Sequence, residues 1–439
     1  MLTVDVLSRD GLADRTARAQ LAARGLLVLL MLLLAAAPAF AQMELWVPEL
    51  PMTRDTGTSA RALGLGGAYI ALSDDAAALR YNPAGLARVS RIEFSGGLID
   101  RRVEWTTDDR GREARSDMAR TRVNSLGFVY PFPTYRGSMV IALGYAVPYL
   151  MAREYLRSGP RSGGNLEESL FEEGSAGEWS FGYAVDVSPI LSLGFRTSLL
   201  SGSYFQDWTF RNQYYDDHNT TDTQVGGFTC AFGAQARLAD WGRLGLVLDL
   251  PRWIRLETDL TDGTGETFSS DEQVTLPFSV GAGLAATVDR LLVTGDLRYT
   301  DWTQIDYEGP LRYVGENGRR ELAYRRTLDL HLGAEYLVDV AGAGGLRLRA
   351  GVAREPDPYD VIFTDIIFNE TTEAGEPVYF AAAHDPERVC FTAGLGFLFQ
   401  ESLAIDAAFA TGDFAREGGQ LREEVDERRL LLSVGFRLD

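Results

Sequence analysis

Residues 389–399 read VCFTAGLGFLF. The odd positions, Val389, Phe391, Ala393, Leu395, Phe397 and Phe399, are apolar, while Cys390, Thr392, Gly394 and Gly396 between them are small or polar. A period of two places the two sets on opposite faces of an extended strand. The same pattern runs through Leu328–Leu330–Leu332–Ala334–Tyr336, Leu346–Leu348–Ala350–Val352, Trp179–Phe181–Tyr183–Val185–Val187 and Leu430–Leu432–Val434–Phe436–Leu438. In each, polar or small residues fill the intervening positions.

A soluble sandwich also alternates, so the connections decide. Tight turns fall at 188–189, 240–242, 288–290 and 400–401. Between them lie long polar connections near 106–119, 153–175, 258–272, 307–321 and 356–384. Short turns at one end and long ones at the other mark an outer-membrane barrel. The segments are often longer than the roughly 9–11 residues that a tilted spanning strand requires. The reading is an all-β, transmembrane antiparallel β-barrel of fourteen strands. These lie near 91–105, 120–132, 136–152, 176–188, 190–212, 223–239, 243–257, 273–287, 290–306, 322–337, 345–355, 386–399, 402–415 and 425–438. An even number returns both ends to one side, and closure removes the unpaired edges.

The phase assigns faces. Arg298, Asp329, His331, Glu335, Arg347 and Arg349 point to the lumen, as a charge network that braces the wall or grips a plug. Trp105, Tyr130, Tyr149, Trp179, Trp208, Trp241, Trp253, Tyr299 and Trp302 cluster near strand ends, where membrane-interface girdles want amphipathic rings. Cys230 faces lipid and Cys390 the lumen, six strands apart, which excludes a disulfide.

The 439 residues carry a formal net charge of −20, which argues against a nucleic-acid partner. Residues 26–34 are apolar, follow Arg15, Arg18 and Arg24, and precede Ala39-Phe40-Ala41. That is a signal peptide, residues 1–41. Beyond it no run reaches the roughly 18 apolar residues of a membrane helix. Of the three histidines, His218 and His384 fall in outer connections and His331 has no serine to pair with. No HExxH or CxxC pattern occurs. The sequence therefore gives no catalytic, metal or cofactor site.

One stretch stands outside the strand pattern. Residues 64–87 read GLGGAYIALSDDAAALRYNPAGLA. The glycines imitate a dinucleotide fingerprint, but no buried strand precedes them and no βαβ unit follows. Ser73 is placed to cap a short helix with Asp74 and Asp75 in its first turn. The helix ends before Pro83, and Asn82 caps a second turn that Pro83 begins. Residues 42–90 thus form a plug of short helices ahead of the barrel, 91–439.

This stretch resembles the N-terminal hatch of the FadL/TodX outer-membrane transporters for long-chain fatty acids and other hydrophobic compounds. Asn82, Pro83, Ala84 and Gly85 match its Asn-Pro-Ala motif. Leu276-Pro277 with DLRYTDWTQID at 296–306 resembles the family's LP…YTxWSQ region, and DPERVCFTAGLGFLF its penultimate barrel region. The resemblance implies passive uptake of hydrophobic molecules through the outer membrane of a Gram-negative bacterium. A hatch gates the passage, and an interrupted third strand gives lateral exit. Its partners would be the hydrophobic ligand, outer-membrane lipid and the barrel assembly machinery. Pro148 removes a ladder N–H from the third strand and is the candidate interruption. Leu166, Leu170 and Phe171 lie at near-helical spacing in an outer connection. They read as the apolar face of a capture helix, or as part of a solvated acidic loop. Ile362, Phe363, Ile366, Ile367 and Phe368, in VIFTDIIF at 361–368, are candidates for ligand or partner contact. The alternative is a non-transporting barrel serving protein secretion or surface anchoring.

Overall fold

The computed structural model describes residues 56–161, 164–211, 216–308, 321–340, 344–369, 374–381, 387–418 and 420–438. The signal-peptide segment lies outside them. Fourteen antiparallel strands form the wall. They are β1 Ile92–Asp109, β2 Arg112–Phe132, β3 Met139–Arg161, β4 Gly164–Ser188, β5 Leu191–Arg211 and β6 Asp216–Ala239. Then follow β7 (Gly242–Asp249, Arg252–Thr261), β8 (Thr267–Leu276, Ser279–Val288) and β9 (Leu291–Asp301, Asp306–Glu308). The remainder are β10 (Glu321–Tyr324, Arg326–Val340), β11 (Gly344–Pro356, Tyr359–Asn369), β12 (Ala374–Ala381, Glu387–Phe399), β13 Leu403–Gly418 and β14 Leu421–Leu438. Each strand pairs with its sequence neighbours. β14 closes the barrel on β1 from Ile92↔Leu438 to Asp109↔Leu421.

The faces follow the alternation. Phe391 and Leu395 on β12, and Leu430, Leu432, Val434 and Phe436 on β14, are exposed outward, whereas Cys390 and Leu431 are buried. Together with Leu143, Phe181, Phe232, Leu284, Leu332 and Ile405 they make an apolar outer band, the surface a barrel offers to hydrocarbon.

Three expectations change. The long polar connections at 106–119 and 153–175 are not loops: β1 and β2 stay paired to Asp109↔Arg112, and β3 and β4 to Arg161↔Gly164. Backbone pairing continues there because polar side chains face water on the outer side, so no apolar alternation announces the strand. Leu166, Leu170 and Phe171 accordingly lie on strand β4, not on a helix. A strand sends neighbours to opposite faces. Leu166 is buried and Leu170 packs with the inner cluster of Trp105 and Tyr155, so Phe171 does not share their face. Of the aromatics, Trp179, Trp241 and Trp253 are exposed, but Trp105 and Tyr149 are buried inside. Ile362, Phe363, Ile366, Ile367 and Phe368 lie on the strand Tyr359–Asn369; their side chains fall outside the described residues.

Candidate functional site: the lumen and the segment that fills it

Residues 56–90 run inside the wall. Ser59 caps a five-residue helix, Ala60–Gly64, by accepting from Ala62 N. The chain then reverses through Gly66 and Gly67, at φ +67° and +83°. Only glycine serves there, because the conformation is left-handed and a Cβ on Gly67 would lie 2.9 Å from His331 Nδ1. His331 Nδ1 donates to Gly66 O at 2.7 Å. Asp296 Oδ2 accepts from Tyr69 N at 2.6 Å and Ile70 N at 2.8 Å. Ser73 does not cap a helix: its hydroxyl donates to Tyr69 O, and the helix starts later, at Ala78–Tyr81.

Asn82 sits at the centre of this seating and is fully buried. Its Oδ1 accepts from Ala84 N at 3.1 Å, capping the 3-10 helix Pro83–Arg88 with Pro83 in the first turn. Its Nδ2 donates to Ile70 O within the segment and to Ala234 O on β6. Gln235 Nε2 shares Ile70 O and also reaches Ser73 O. One amide thus orders the turn that follows it, the turn before it and the wall. The wall makes room with glycines: a Cβ on Gly194, Gly233, Gly333 or Gly351 would meet the segment's backbone or Asn82 at 2.0–2.4 Å. Leu79, Leu86 and Val89 pack on Val129, Val140 and Ala184.

Two groups of charges lie beside the segment among the described residues. Arg349 binds Glu335 and Asp406, each at 2.6 Å, while Arg347 and Arg61 approach Glu335 at 3.8 and 3.7 Å. Arg61 also pairs with Asp74 at 2.5 Å. Burial works against ionisation of Asp74, yet Arg61 and Arg243 beside it hold its carboxyl below the usual range. Asp75 accepts from Tyr69 Oη at 2.8 Å. Burial, with Glu93 and Asp74 near it, pushes the Asp75 carboxyl up to about 7. In the second group Asp249 binds Arg298 at 2.5 Å and Arg196 at 2.9 Å. Arg298, Asp329 and His331 line a cavity of about 240 Å³ between the segment and the outer half of the wall.

Beyond that cavity the inner wall carries an apolar cluster beside buried polar residues such as Thr258 and Glu272. Met151, Leu200, Val225, Ile254, Leu256, Val274, Leu276 and Ile305 are buried and pack together, with Tyr204, Trp302 and Tyr324 against them. The larger cavity touches this surface through Tyr149, Leu276 and Trp302.

A closed barrel holding an N-terminal segment, charged beside that segment and carrying an apolar cluster above it, can be compared with solved structures. The chain has the FadL-family fold. It superposes on a FadL homologue of Pseudomonas aeruginosa with TM-score 0.62 at 13% identity, covering 88% of this chain and 100% of that one. The toluene transporter TodX of Pseudomonas putida gives 0.58 at 16%, covering 88% and 99%. The toluene transporter TbuX of Ralstonia pickettii gives 0.56 at 12%, covering 87% and 99%. No family model and no curated protein matches the sequence.

Within this FadL fold one seam is incomplete. β2 pairs with β3 only from Phe132↔Met139 to Ser125↔Ala146. Beyond Ala146, β3 shifts register across Val147 and Pro148 and continues on β4 alone up to Arg161↔Gly164. Side chains of β1 and β2 replace the missing ladder: Arg101 donates to Leu150 O and Ala152 O, Thr107 to Leu156 O and Ser116 to Glu154 O. The lumenal segment meets the wall at this gap. Thr56 N donates to Pro148 O at 2.9 Å, and Asn124 of β2 donates to Gly57 O at 2.8 Å. Pro148 therefore stands where the third strand parts from β2 while staying on β4.

Sequence reasoning missed the apolar inner wall and the glycine belt. β7 and β8 each break at a proline, at 250–251 and 277–278. The break reverses the phase: Leu246 and Leu248 face out, but Ile254 and Leu256 face in. Pro251 and Pro277 were the available signal.

Proposed function

We propose that the protein is an outer-membrane channel for passive uptake of hydrophobic molecules such as long-chain fatty acids, with residues 42–90 as its hatch and 91–439 as its barrel. The apolar inner wall of Met151, Leu200, Val225, Ile254, Leu256 and Val274 carries the reading. A water-filled porin has a polar interior. An apolar one attracts acyl or aromatic cargo, at roughly 0.8 kcal/mol for each CH₂ removed from water, so capture needs no energy source. Cargo collects on this wall and enters the cavity above the hatch. Movement of the segment held by Asn82 then opens the way to the β2–β3 gap at Pro148, where the unpaired seam offers an exit into lipid. The outward apolar band fits a Gram-negative outer membrane, reached through the signal peptide and the barrel assembly machinery. TodX and TbuX are toluene transporters, which supports the same cargo class here.

The test is uptake of a labelled long-chain fatty acid and of toluene by cells lacking their own transporter. They would express this protein or Asn82→Ala at matched surface levels. Uptake by the wild type that changes in the variant supports a hatch-gated channel. A correctly inserted wild type that takes up neither compound sinks the reading.

A further inference from the structure

At the short-turn end of the barrel, the end such a barrel presents to the periplasm, three arginines converge from the lumenal segment and the wall. On the inner faces of β6 and β7, Gln235 bonds Ile70 O and Ser73 O, and a Cβ on Gly245 would meet Ile70 O at 2.5 Å. Two residues nearer the turn on those same faces stand Arg237 and Arg243, which are direct cross-strand partners. The third is Arg88, which closes the 3-10 helix Pro83–Arg88 of the segment. Burial first, and then Arg243 and Arg237 beside it, hold the Arg88 guanidinium below its ordinary value.

Like charges directly opposite on a sheet are destabilising, and the nearby carboxylates relieve this only weakly. Arg61 holds Asp74 at 2.5 Å, whereas Arg243 stands 3.9 Å from it. Asp186, the other acid near Arg88, accepts from Ser192 Oγ at 2.6 Å. Among the described residues, Arg88 and Arg237 have no carboxylate within 4 Å, and none of the three guanidiniums donates a hydrogen bond to another side chain or carbonyl. Each guanidinium is a fork of N–H donors whose spacing matches two oxygens of a phosphate. Three such forks, half-buried or at the rim, therefore converge with their donors unused.

We propose that Arg88, Arg237 and Arg243 form a binding site for a phosphate group that straddles the lumenal segment and the wall. An anion among them replaces mutual repulsion by attraction and ties the end of the segment to β6 and β7. Without it, the same charges press the segment away from the wall. The group is supplied by free phosphate or by a phospholipid headgroup. The site lies at the opposite end of the lumen from the apolar cluster and does not depend on what the channel carries.

The experiment follows hydrogen exchange across residues 83–91 in the purified barrel with its lumenal segment, in an uncharged detergent. Inorganic phosphate replaces chloride at constant pH and ionic strength. Exchange is expected to slow severalfold, saturating with phosphate. Arg237→Gln, at the exposed rim, should abolish the response, and Arg88→Gln should abolish it from the segment's side. Folding is verified by heat-modifiable migration, and if one variant does not fold the other carries the comparison. Arg290→Gln, in another short turn where Arg290 pairs with Asp339 at 2.8 Å, should respond as the wild type does. A second arm compares nanodiscs of phosphatidylglycerol with nanodiscs of an uncharged glycolipid, both without phosphate. Slowing by inorganic phosphate assigns the site to a free anion; slowing by phosphatidylglycerol alone assigns it to the headgroup. No slowing in either arm, or equal slowing in the wild type and a folded Arg237→Gln or Arg88→Gln, overturns the proposal.

Discussion

A methyl group on Gly233 would stand 2.0 Å from Asn82 Oδ1, so the barrel wall and the lumenal segment meet at a point with no space for a side chain. Asn82 cannot retreat, because its three hydrogen bonds fix both ends of the amide. Gly233→Ala should therefore unseat the segment at a cost of about 1–3 kcal/mol, the usual penalty for overpacking. Gly226, where an added Cβ meets nothing within 4 Å, is the control. Hydrogen exchange at the Ala84 amide would read the difference. Equal protection in Gly233→Ala and Gly226→Ala would show that the contact does not hold the segment.

Asn82 can be dissected further. Asn82→Ala leaves the Ala84 amide without its acceptor, at roughly 1–3 kcal/mol for an unsatisfied buried donor. Asn82→Asp keeps that acceptor but turns a carboxylate toward Ile70 O and Ala234 O. Aspartate should be at least as damaging as alanine, because it places an ion among acceptors inside a buried site. Exchange rates at Ala84 and Ile70 give the ranking. Wild-type protection in Asn82→Asp would mean that the Nδ2 bonds contribute nothing.

The pH dependence follows from Asp75, whose carboxyl is pushed up to about 7 in the seated segment by burial and by Glu93 and Asp74. An exposed aspartate titrates near 3.9. Between those values the seated form binds more protons than the released form, so seating weakens as pH rises from about 4 to about 7 and levels off above. Asp75→Asn should flatten the profile across that window. The readout is limited proteolysis at 56–90 in purified barrels from pH 5 to pH 8. A wild type more resistant at pH 8 than at pH 5 would contradict the sign.

The seam gives a fourth expectation. Thr56 Oγ1 donates to the Val147 and Pro148 carbonyls, each at 3.2 Å. Thr56→Val keeps the shape and the backbone bond from Thr56 N but removes the hydroxyl, at about 1 kcal/mol for a net hydrogen bond. Exchange at Tyr149 to Ala152 should quicken while the β3 amides at 139–146, paired with β2, stay protected. Uniform change along β3 would argue that the hydroxyl supports the strand in general rather than the gap.

How far the molecule could be read beforehand depended on what each residue faces. VCFTAGLGFLF gave its strand and its lipid face because hydrocarbon on one side and a packed lumen on the other impose a strict alternation. All fourteen strand cores were legible for the same reason. The outer extensions were not, since both faces of a polar hairpin can be hydrophilic. That is why Leu166, Leu170 and Phe171 were assigned to a helix or loop. Trp105 and Tyr149 near strand ends suit a girdle as well as an inner cluster, and only the phase of the folded strand decides between them. Asn82 was readable as a cap because its partner Ala84 is local. Its pairing with Ala234 and the room supplied by Gly233 lie about 150 positions away, where no local pattern reaches.

The apolar lumen is the most direct place to challenge the channel. Leu256 on β7 is buried in the inner cluster, and Glu257 beside it is exposed on the opposite face. Leu256→Asn removes an apolar contact and adds an amide where cargo would lie. Losing the transfer energy of one such side chain, about 1.5–3 kcal/mol, weakens capture on the order of tenfold or more. Glu257→Gln changes charge at the same height of the barrel without touching the lumen. Binding of a fluorescent fatty acid to detergent-solubilised barrels compares the two. Weaker binding in Leu256→Asn alone places the cargo inside the barrel. Equal weakening in both would place it on the outer surface, and the inner wall would then be a packing core of the upper barrel with no part in capture.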